Sequence, residues 1–201
     1  SMKTFLPVFA ILLLAGCVNL QPVPDNSRYH ILDHNTVSNE KKLNLQSTTP
    51  SLHFAQVDLP SYHDGKKLAL RKSPTEIQFS ELHRWVEPLE DSIVRVLTNH
   101  LRNRLSSNWT FSSYPGRRSN SQGYEVQLSF SRVEGDSLGK AVIEGQIRLF
   151  QTTPVPNLKT QKNFKIDRIW RSKDTAELPK LLSELMRDLG DELLITLEEA
   201  I

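Results

Sequence analysis

Apolar side chains recur at intervals of three and four residues between positions 77 and 105, which is the period of an α-helix with one apolar face. The members of this stripe are Leu82, Trp85, Val86, Leu89, Ile93, Val96, Leu97, Leu101 and Leu105. Pro88 suits the first position of the main helix, because it has no N–H to leave unpaired. Glu90 and Asp91 then suit the positive end of the helix dipole. The pattern predicts a long helix here that needs a surface to pack against.

A second helical stripe runs from about Pro179 to Glu199. Its apolar positions are Leu178, Leu181, Leu182, Leu185, Leu189, Leu193, Leu194 and Leu197. Gly190 lies inside this stripe and costs about 1 kcal/mol relative to alanine in a helix. We therefore expect Gly190 to mark a point where the second helix packs closely on a sheet.

Apolar and polar residues alternate between the two helices, which predicts half-buried strands. The alternation is clear over residues 124–131 and resumes over 141–149 after a glycine-containing turn at 135–139. Gly145 predicts a bulge or bend in the second of these strands. A third strand at 164–170 completes a predicted antiparallel meander.

Further short strands are predicted on both sides of the first helix. They cover residues 28–33, 52–59, 68–71 and 108–112, with loops at 34–51, 114–123 and 153–162. The pair Asp64-Gly65 predicts a tight turn within residues 61–67. The sum is one α/β domain, with a mixed and mostly antiparallel sheet of about six strands packed by two long amphipathic helices.

The first residues have the pattern of an export signal. Ser1 precedes Met2 and is interpreted as a remnant of cloning, and Lys3 precedes an apolar run at 5–14. That run is shorter than the about 20 residues needed to span a bilayer. It ends in Leu14-Ala15-Gly16-Cys17, which resembles the bacterial lipobox, whose cysteine is lipidated and becomes the new N-terminus. An ordinary secretory signal followed by a chance cysteine is the alternative to a lipoprotein signal at 1–17.

Residues 18–26 are predicted to form a tether, because they contain two prolines and little apolar mass. Nine residues reach at most about 30 Å, so the domain at 27–201 would stay close to its membrane. Cys17 is the only cysteine, so no internal disulfide can form. By resemblance to enterobacterial sorting, Val18 after the cysteine implies the periplasmic face of the outer membrane.

Charge and motif content argue against several function classes. The 25 Lys and Arg are balanced by 23 Asp and Glu, whereas nucleic-acid binding usually needs a basic excess. The chain has no G-x-S-x-G, H-E-x-x-H or glycine-rich phosphate loop. His30 and His34 would need a further ligand to hold zinc. His83 beside Glu87 fits hydrogen bonding at a helix start better than acid–base catalysis. We expect no enzyme activity, no metal and no cofactor beyond the lipid on Cys17.

Several motifs occur in a defined order along the chain. The lipobox is followed by Val57-Asp58-Leu59-Pro60-Ser61-Tyr62, by Leu70-Arg71, by the block H-R-W-V-E-P-L at 83–89, by the hairpin at 124–150 and by the C-terminal helix. This order resembles the ABC-type transport auxiliary lipoprotein family, the PqiC/YmbA-like proteins, over roughly residues 28–199. The R-W-x-E-P-L block, the L-P-x-Y motif and Arg71 carry most of the resemblance. His63 departs from it, because an apolar residue is expected there.

The resemblance implies a non-enzymatic lipoprotein that works with an MCE-domain protein of an inner-membrane ABC-type or PqiA-like system. Such a chain would be an outer-membrane docking subunit for the transport of lipids or other hydrophobic molecules. The alternative is a stand-alone periplasmic lipid carrier. A carrier needs a deep apolar pocket, whereas a docking subunit needs only an exposed interface.

The predicted partner surface is the edge formed by residues 59–71 and the start of the long helix. Its proposed anchors are Pro60, Tyr62, Arg71, Arg84 and Trp85, because aromatic and arginine side chains dominate interface energies. The partner at this edge would be the transport protein or a second copy of the chain, as a homo-oligomer. In the competing interpretation, Trp85 and Arg71 are buried against each other and only shape the fold.

Overall fold

The computed structural model describes residues 22–33, 41–118, 122–153 and 155–201. The predicted lipobox with Cys17, residues 18–21 of the predicted tether and His34 lie outside the described residues. Within the described ranges, no helix is both long enough and apolar enough to cross a membrane.

Along the described chain, each of the two helices follows a run of four strands. The strands before the first helix are β1 (Arg28–His30), β2 (Ser51–Asp58), β3 (Lys67–Ser73) and β4 (Glu76–Trp85), with a 3-10 turn at Ser61–His63. The first helix is α1 (Leu89–Arg104). It is followed by β5 (Thr110–Ser113), β6 (Tyr124–Asp136), β7 (Lys140–Thr152), β8 (Pro156–Ile169) and α2 (Leu178–Ala200).

All of these strands join one mixed sheet that is organised around β6. β7 pairs antiparallel along one edge of β6, and β8 pairs antiparallel with β7. Two parallel neighbours share the other edge of β6: β2 pairs with its first half, and β3 pairs with its end at Gly135 and Asp136. β5 extends the sheet beyond β2, while β4 and then β1 extend it beyond β3.

The α/β class, the mixed sheet and the two helices are confirmed, but the sheet has eight strands rather than about six. Residues 77–85, which the sequence pattern assigned to the first helical stripe, instead belong to β4. Leu82 and Val86 are 49% and 50% exposed, so neither belongs to a buried helix face. Pro88 also differs from the prediction: it has an extended backbone (φ −53°, ψ 135°) and precedes the helix as its N-cap.

Both helices pack on one face of the sheet and enclose the core. α2 covers β6, β7 and β8, while α1 lies beside α2 and covers β2 and β5. The inward-facing residues of β6, namely Tyr124, Val126, Leu128, Phe130 and Val133, all belong to this core. A bulge does lie at Gly145, but its extra residue is in β6 and not in β7 as predicted: the pairing shifts register between Phe130 and Arg132, opposite this glycine.

Gly190 makes the close approach that its position predicted, but the surface that it meets is α1 and not the sheet. A Cβ built on Gly190 would overlap Cδ2 of His100 and would lie 3.0 Å from Cγ of the same ring. The glycine therefore lets the two helices approach each other.

Candidate functional site

A buried carboxylate lies at the end of β6, where β3 joins the sheet. Val133 belongs to the helix-covered core, and Gly135 packs against the Trp170 ring. Because successive residues of a strand point to opposite faces, Glu134 lies on the face away from the helices. Its side chain is 0% exposed. A fully buried carboxylate is stable only if it is paired and hydrogen-bonded.

Glu134 accepts hydrogen bonds from three side chains. Nε of Arg71 donates to Oε1, and Nη2 of Arg71 lies 3.4 Å from Oε2. Nε of Arg132 donates to Oε1 at 2.8 Å, and the Tyr62 hydroxyl donates to Oε2 at 2.9 Å. Asp136 also lies 3.6 Å from Arg132. Two guanidinium groups and one phenol therefore surround a single carboxylate.

These contacts decide the charge state of the cluster. Burial alone would raise the pKa of Glu134, but the hydrogen bonds from Arg71, Arg132 and Tyr62 outweigh burial and hold this pKa below its ordinary value. Burial, followed by the hydrogen bond to Glu134, raises the pKa of Tyr62 to about 12. A carboxylate that stays ionised, with both oxygens occupied, has no proton to donate at neutral pH. The cluster therefore fixes the turn and β3 onto β6.

The structure thus brings together two of the predicted partner-surface residues, Tyr62 and Arg71. Pro60 begins the turn that carries Tyr62, and its carbonyl accepts the His63 N–H at 2.9 Å. Sequence reasoning missed Glu134, which is the residue that joins the motifs. The available signal was a carboxylate two positions after Arg132, in a segment that still alternates as a strand.

The other two predicted anchors lie at the end of β4 and have different environments. Trp85 is 3% exposed and belongs to the core, which agrees with the interpretation that it shapes the fold. It is not paired with Arg71, whose hydrogen bonds go to Glu134 and to the Pro74 carbonyl at 3.1 Å. Nε of the half-buried Arg84 donates to Ser27 Oγ at 3.1 Å, just before β1. A partner-binding role for Pro60, Tyr62, Arg71 and Arg84 stays a prediction, while the Trp85 ring is not accessible as a surface anchor.

A small cleft of about 250 Å³ separates the turn from the start of α1. Its lining residues are His63, Asp64, Gly65, Lys66, Trp85, Glu87, Pro88, Leu89 and Glu90. Glu87 holds the first turn of α1, because it accepts hydrogen bonds from Ser92 and, at 2.5 Å, from Arg95. The R-W-x-E-P-L block therefore supplies the core residue Trp85 and also Glu87, whose hydrogen bonds hold the first turn of α1.

His63 lies buried next to Tyr62, with the two ring centroids 4.5 Å apart. Neither ring nitrogen has a hydrogen-bond partner in the described structure. Burial lowers the pKa of His63 to about 4, against the opposing effect of the Glu134 and Asp64 charges. The imidazole is therefore neutral at pH 7.

His30 and His83 form a second histidine contact, on the paired strands β1 and β4. Nε2 of His30 and Nδ1 of His83 share a hydrogen bond of 2.8 Å, and the rings stack 5.0 Å apart. The described residues contain no group of three or more potential metal ligands.

Solved structures of other proteins share this architecture. The structure resembles that of protein XCC0632 from Xanthomonas campestris, described as a DUF330 protein (TM-score 0.66, 20% identity, covering 86% of this chain and 96% of that chain). It also resembles the crystal structure of an uncharacterized protein (TM-score 0.62, 20% identity, 77% and 97% covered). At such identities these likenesses show a shared fold. Among curated proteins, none matches the chain significantly.

The assignment rests on a family model rather than on any single relative. The model for the ABC-type transport auxiliary lipoprotein component matches residues 34–193, which is most of the 201-residue chain. The match includes the Tyr62 turn, Arg71 and Glu134. The chain belongs to the family of ABC-type transport auxiliary lipoprotein components.

Proposed function

We propose that this chain is a periplasmic lipoprotein, anchored in the outer membrane through a lipid on Cys17, that serves as a non-enzymatic docking subunit. Its partner would be the MCE-domain protein of an inner-membrane ABC-type or PqiA-like system that moves lipids or other hydrophobic molecules. Family membership supports the transport role. The Leu14-Ala15-Gly16-Cys17 motif supports the anchor, and the resemblance to PqiC/YmbA-like proteins supports the class of partner.

The observation that carries the docking role is that the helices use the apolar face of the sheet to build a filled core. Phe54, Leu97, Leu128, Ile143 and Leu185 are at most 1% exposed within it. A lipid carrier would instead need an apolar cavity of several hundred Å³. The cleft of about 250 Å³ beside α1 has Asp64, Lys66 and Glu87 in its lining, and a larger open cleft of about 530 Å³ has Asp58, Glu90 and Asp91. This arrangement favours contact with a protein surface over enclosure of an acyl chain.

The Glu134 cluster supports a non-enzymatic role for the motif residues. Its carboxylate oxygens are occupied by Arg71, Arg132 and Tyr62, and its pKa is lowered. A general acid needs a raised pKa and a free path to its substrate. The motif residues Tyr62 and Arg71 are therefore explained by their role in positioning the turn at residues 61–63.

Site-specific photocrosslinking in cells tests the docking role. A benzoylphenylalanine at exposed Ser61, on the turn, should capture an MCE-domain protein that mass spectrometry identifies. The same probe at exposed Glu198, near the end of α2, serves as the matched control and should not capture it. Failure to capture an MCE-domain protein, together with stoichiometric non-covalently bound lipid in native mass spectra of the purified chain, would favour the carrier instead.

A further inference from the structure

The sheet has an open edge beside its central strand. β5 pairs with β2 only from Ser51 to Phe54, and the last contact is the Tyr114 N–H donated to the Phe54 carbonyl at 2.9 Å. From Ala55 to Asp58, the edge of β2 that faces away from β6 has no strand beside it among the described residues. Backbone N–H and C=O groups along such an edge can pair with an added strand.

This open edge borders a cleft of about 530 Å³. One wall is the start of α1, with Glu90, Asp91 and Val94, and the other is the Tyr114–Pro115 loop. Tyr114 is 76% exposed. A second cleft of about 320 Å³ continues along α1 and shares Asp91, Val94 and Tyr114 with the first. The two clefts form one groove that begins at the β2 edge.

The lining of the groove changes along its length: the cleft at the β2 edge is acidic, whereas the second cleft also contains Arg95 and Arg102. Three exposed carboxylates, those of Asp58, Glu90 and Asp91, line the first cleft, and its lining contains no lysine or arginine. Apolar surface from Val57, Val94 and Tyr114 lies among them. The helix dipole accounts for an acidic start of α1 but not for Asp58 at the end of β2. Such a lining complements basic groups interspersed with apolar ones.

We propose that this cleft, formed by Ala55–Asp58, the start of α1 and the Tyr114–Pro115 loop, binds an extended basic segment of the transport partner. The segment adds a strand to β2, and its backbone supplies the hydrogen bonds that β5 does not. Because side chains alternate along a strand, a segment of alternating basic and apolar residues offers one set to the carboxylates and the other to Val57 and Tyr114. The inference deepens the proposed docking role and rests on it for naming the transport partner as the source.

The shape of the opening favours a single extended segment over a second copy of this chain. Only four residues of β2 are open, and they lie between a helix and a loop. A folded sheet edge would bring its own covering helices onto these walls. A second copy at this edge is therefore an outcome that would overturn the proposal.

Peptide binding to the purified, isotope-labelled protein tests the cleft directly. The probe is a capped octapeptide of alternating lysine and valine, followed by NMR of the backbone amides. We expect shifts at Val57, whose backbone groups face the open edge after the register shift between Phe54 and Gln56, and at Tyr114, and at least tenfold weaker binding of the glutamate–valine peptide. Methylating the peptide nitrogens that face β2 should abolish binding, whereas methylating the alternate nitrogens should not.

Charge variants provide a second measurement. A double variant with Asp58→Lys and Asp91→Lys should bind the lysine–valine peptide at least tenfold more weakly. The control Glu198→Lys makes the same kind of change on α2 and should leave binding unchanged. Shifts that map elsewhere, or equal binding of both methylated peptides, would refute strand addition. Shifts at the same amides that depend on protein concentration without peptide would assign the edge to a second copy.

Crosslinking separates failure of the cleft from failure of the docking role. Capture of an MCE-domain protein from Ser61 but not from Tyr114, with no peptide binding, would remove the cleft and leave the docking role. Capture from neither position would remove the docking role and the transport partner as the source of the segment.

Discussion

The Tyr62 hydroxyl donates a hydrogen bond to the Glu134 carboxylate at 2.9 Å, so the turn after β2 is tied to the end of β6. Arg71 reaches the same carboxylate from β3. One buried group therefore joins the turn and β3 to the end of β6, which lies 63 residues beyond Arg71. These contacts explain physically why an L-P-x-Y motif and an arginine nine residues later occur together, because Tyr62 and Arg71 both donate hydrogen bonds to Glu134.

Glu134→Gln should lower the free energy of unfolding by about 3 kcal/mol. That is the low end for breaking a buried ion pair, because Arg71 and Arg132 retain some contact with solvent. Urea unfolding at pH 7 measures the change. The control is Glu81→Gln, since the Glu81 side chain is 84% exposed and lies 3.5 Å from Lys67. The control should change stability by less than about 0.5 kcal/mol, and equal losses in both variants would contradict the structural role of Glu134.

His63→Leu should remove part of the acid sensitivity of the fold. The folded pKa of His63 is about 4 and its ordinary value is 6.5, so between these values the unfolded chain binds more protons. Stability from this group is therefore complete above pH 6.5 and is lost as the pH falls. Lowering the pH from 7.5 to 5 should cost the parent protein about 2 kcal/mol more than the variant.

Chemical unfolding at several pH values compares the two proteins. Burial also lowers the pKa of His30 and His53, and both proteins share that contribution. At neutral pH the variant should be at least as stable as the parent, because the two His63 nitrogens without partners are gone. Stability curves that run parallel with pH would show that His63 does not titrate as a buried group.

The elements with a long, uninterrupted period were predictable from sequence. The eight apolar positions of α2 repeat over about five and a half turns. The predicted bounds, 179–199, differ by one residue at each end from the observed Leu178–Ala200. β4 was not predictable, because Leu82, Trp85 and Val86 happen to fit helical spacing. Pairing with β3 decides its conformation, and no local pattern shows that pairing.

The candidate site was only half predictable for the same reason. Tyr62 and Arg71 were proposed as interface residues by residue type and by their place in a motif. Their common partner Glu134 lies 63 positions beyond Arg71, so only the parallel pairing of β3 with β6 brings the groups together. The open edge of β2 was equally hidden, since it exists because β5 is short.

Cys17→Ala should release the protein from the membrane. The prediction follows from the lipobox, because the cysteine would be the attachment point for acyl chains that each add about 0.8 kcal/mol per buried CH₂. Cell fractionation with a salt wash, followed by density separation of inner and outer membranes, measures the location of both proteins. A variant that remains in the washed membrane pellet would show that another segment holds the chain there.

Gly190→Ala should destabilise the fold although alanine is the better helix former. Helix propensity alone favours alanine by about 1 kcal/mol. The new methyl group would overlap the His100 ring, which cannot move freely because its Nε2 lies 2.8 Å from Asp191 Oδ1. Overpacking of this kind costs about 1–3 kcal/mol, so we expect a net loss of about 1 kcal/mol in urea unfolding.

The sign of the stability change caused by Gly190→Ala in a second background separates overlap with the His100 ring from any other cause. In a His100→Ala protein the ring is absent, and Gly190→Ala should then stabilise the helix by up to about 1 kcal/mol. The two substitutions are in contact, so their effects should be strongly non-additive. A loss of the same size in both backgrounds would mean that the cost arises within α2 itself and not at its contact with α1.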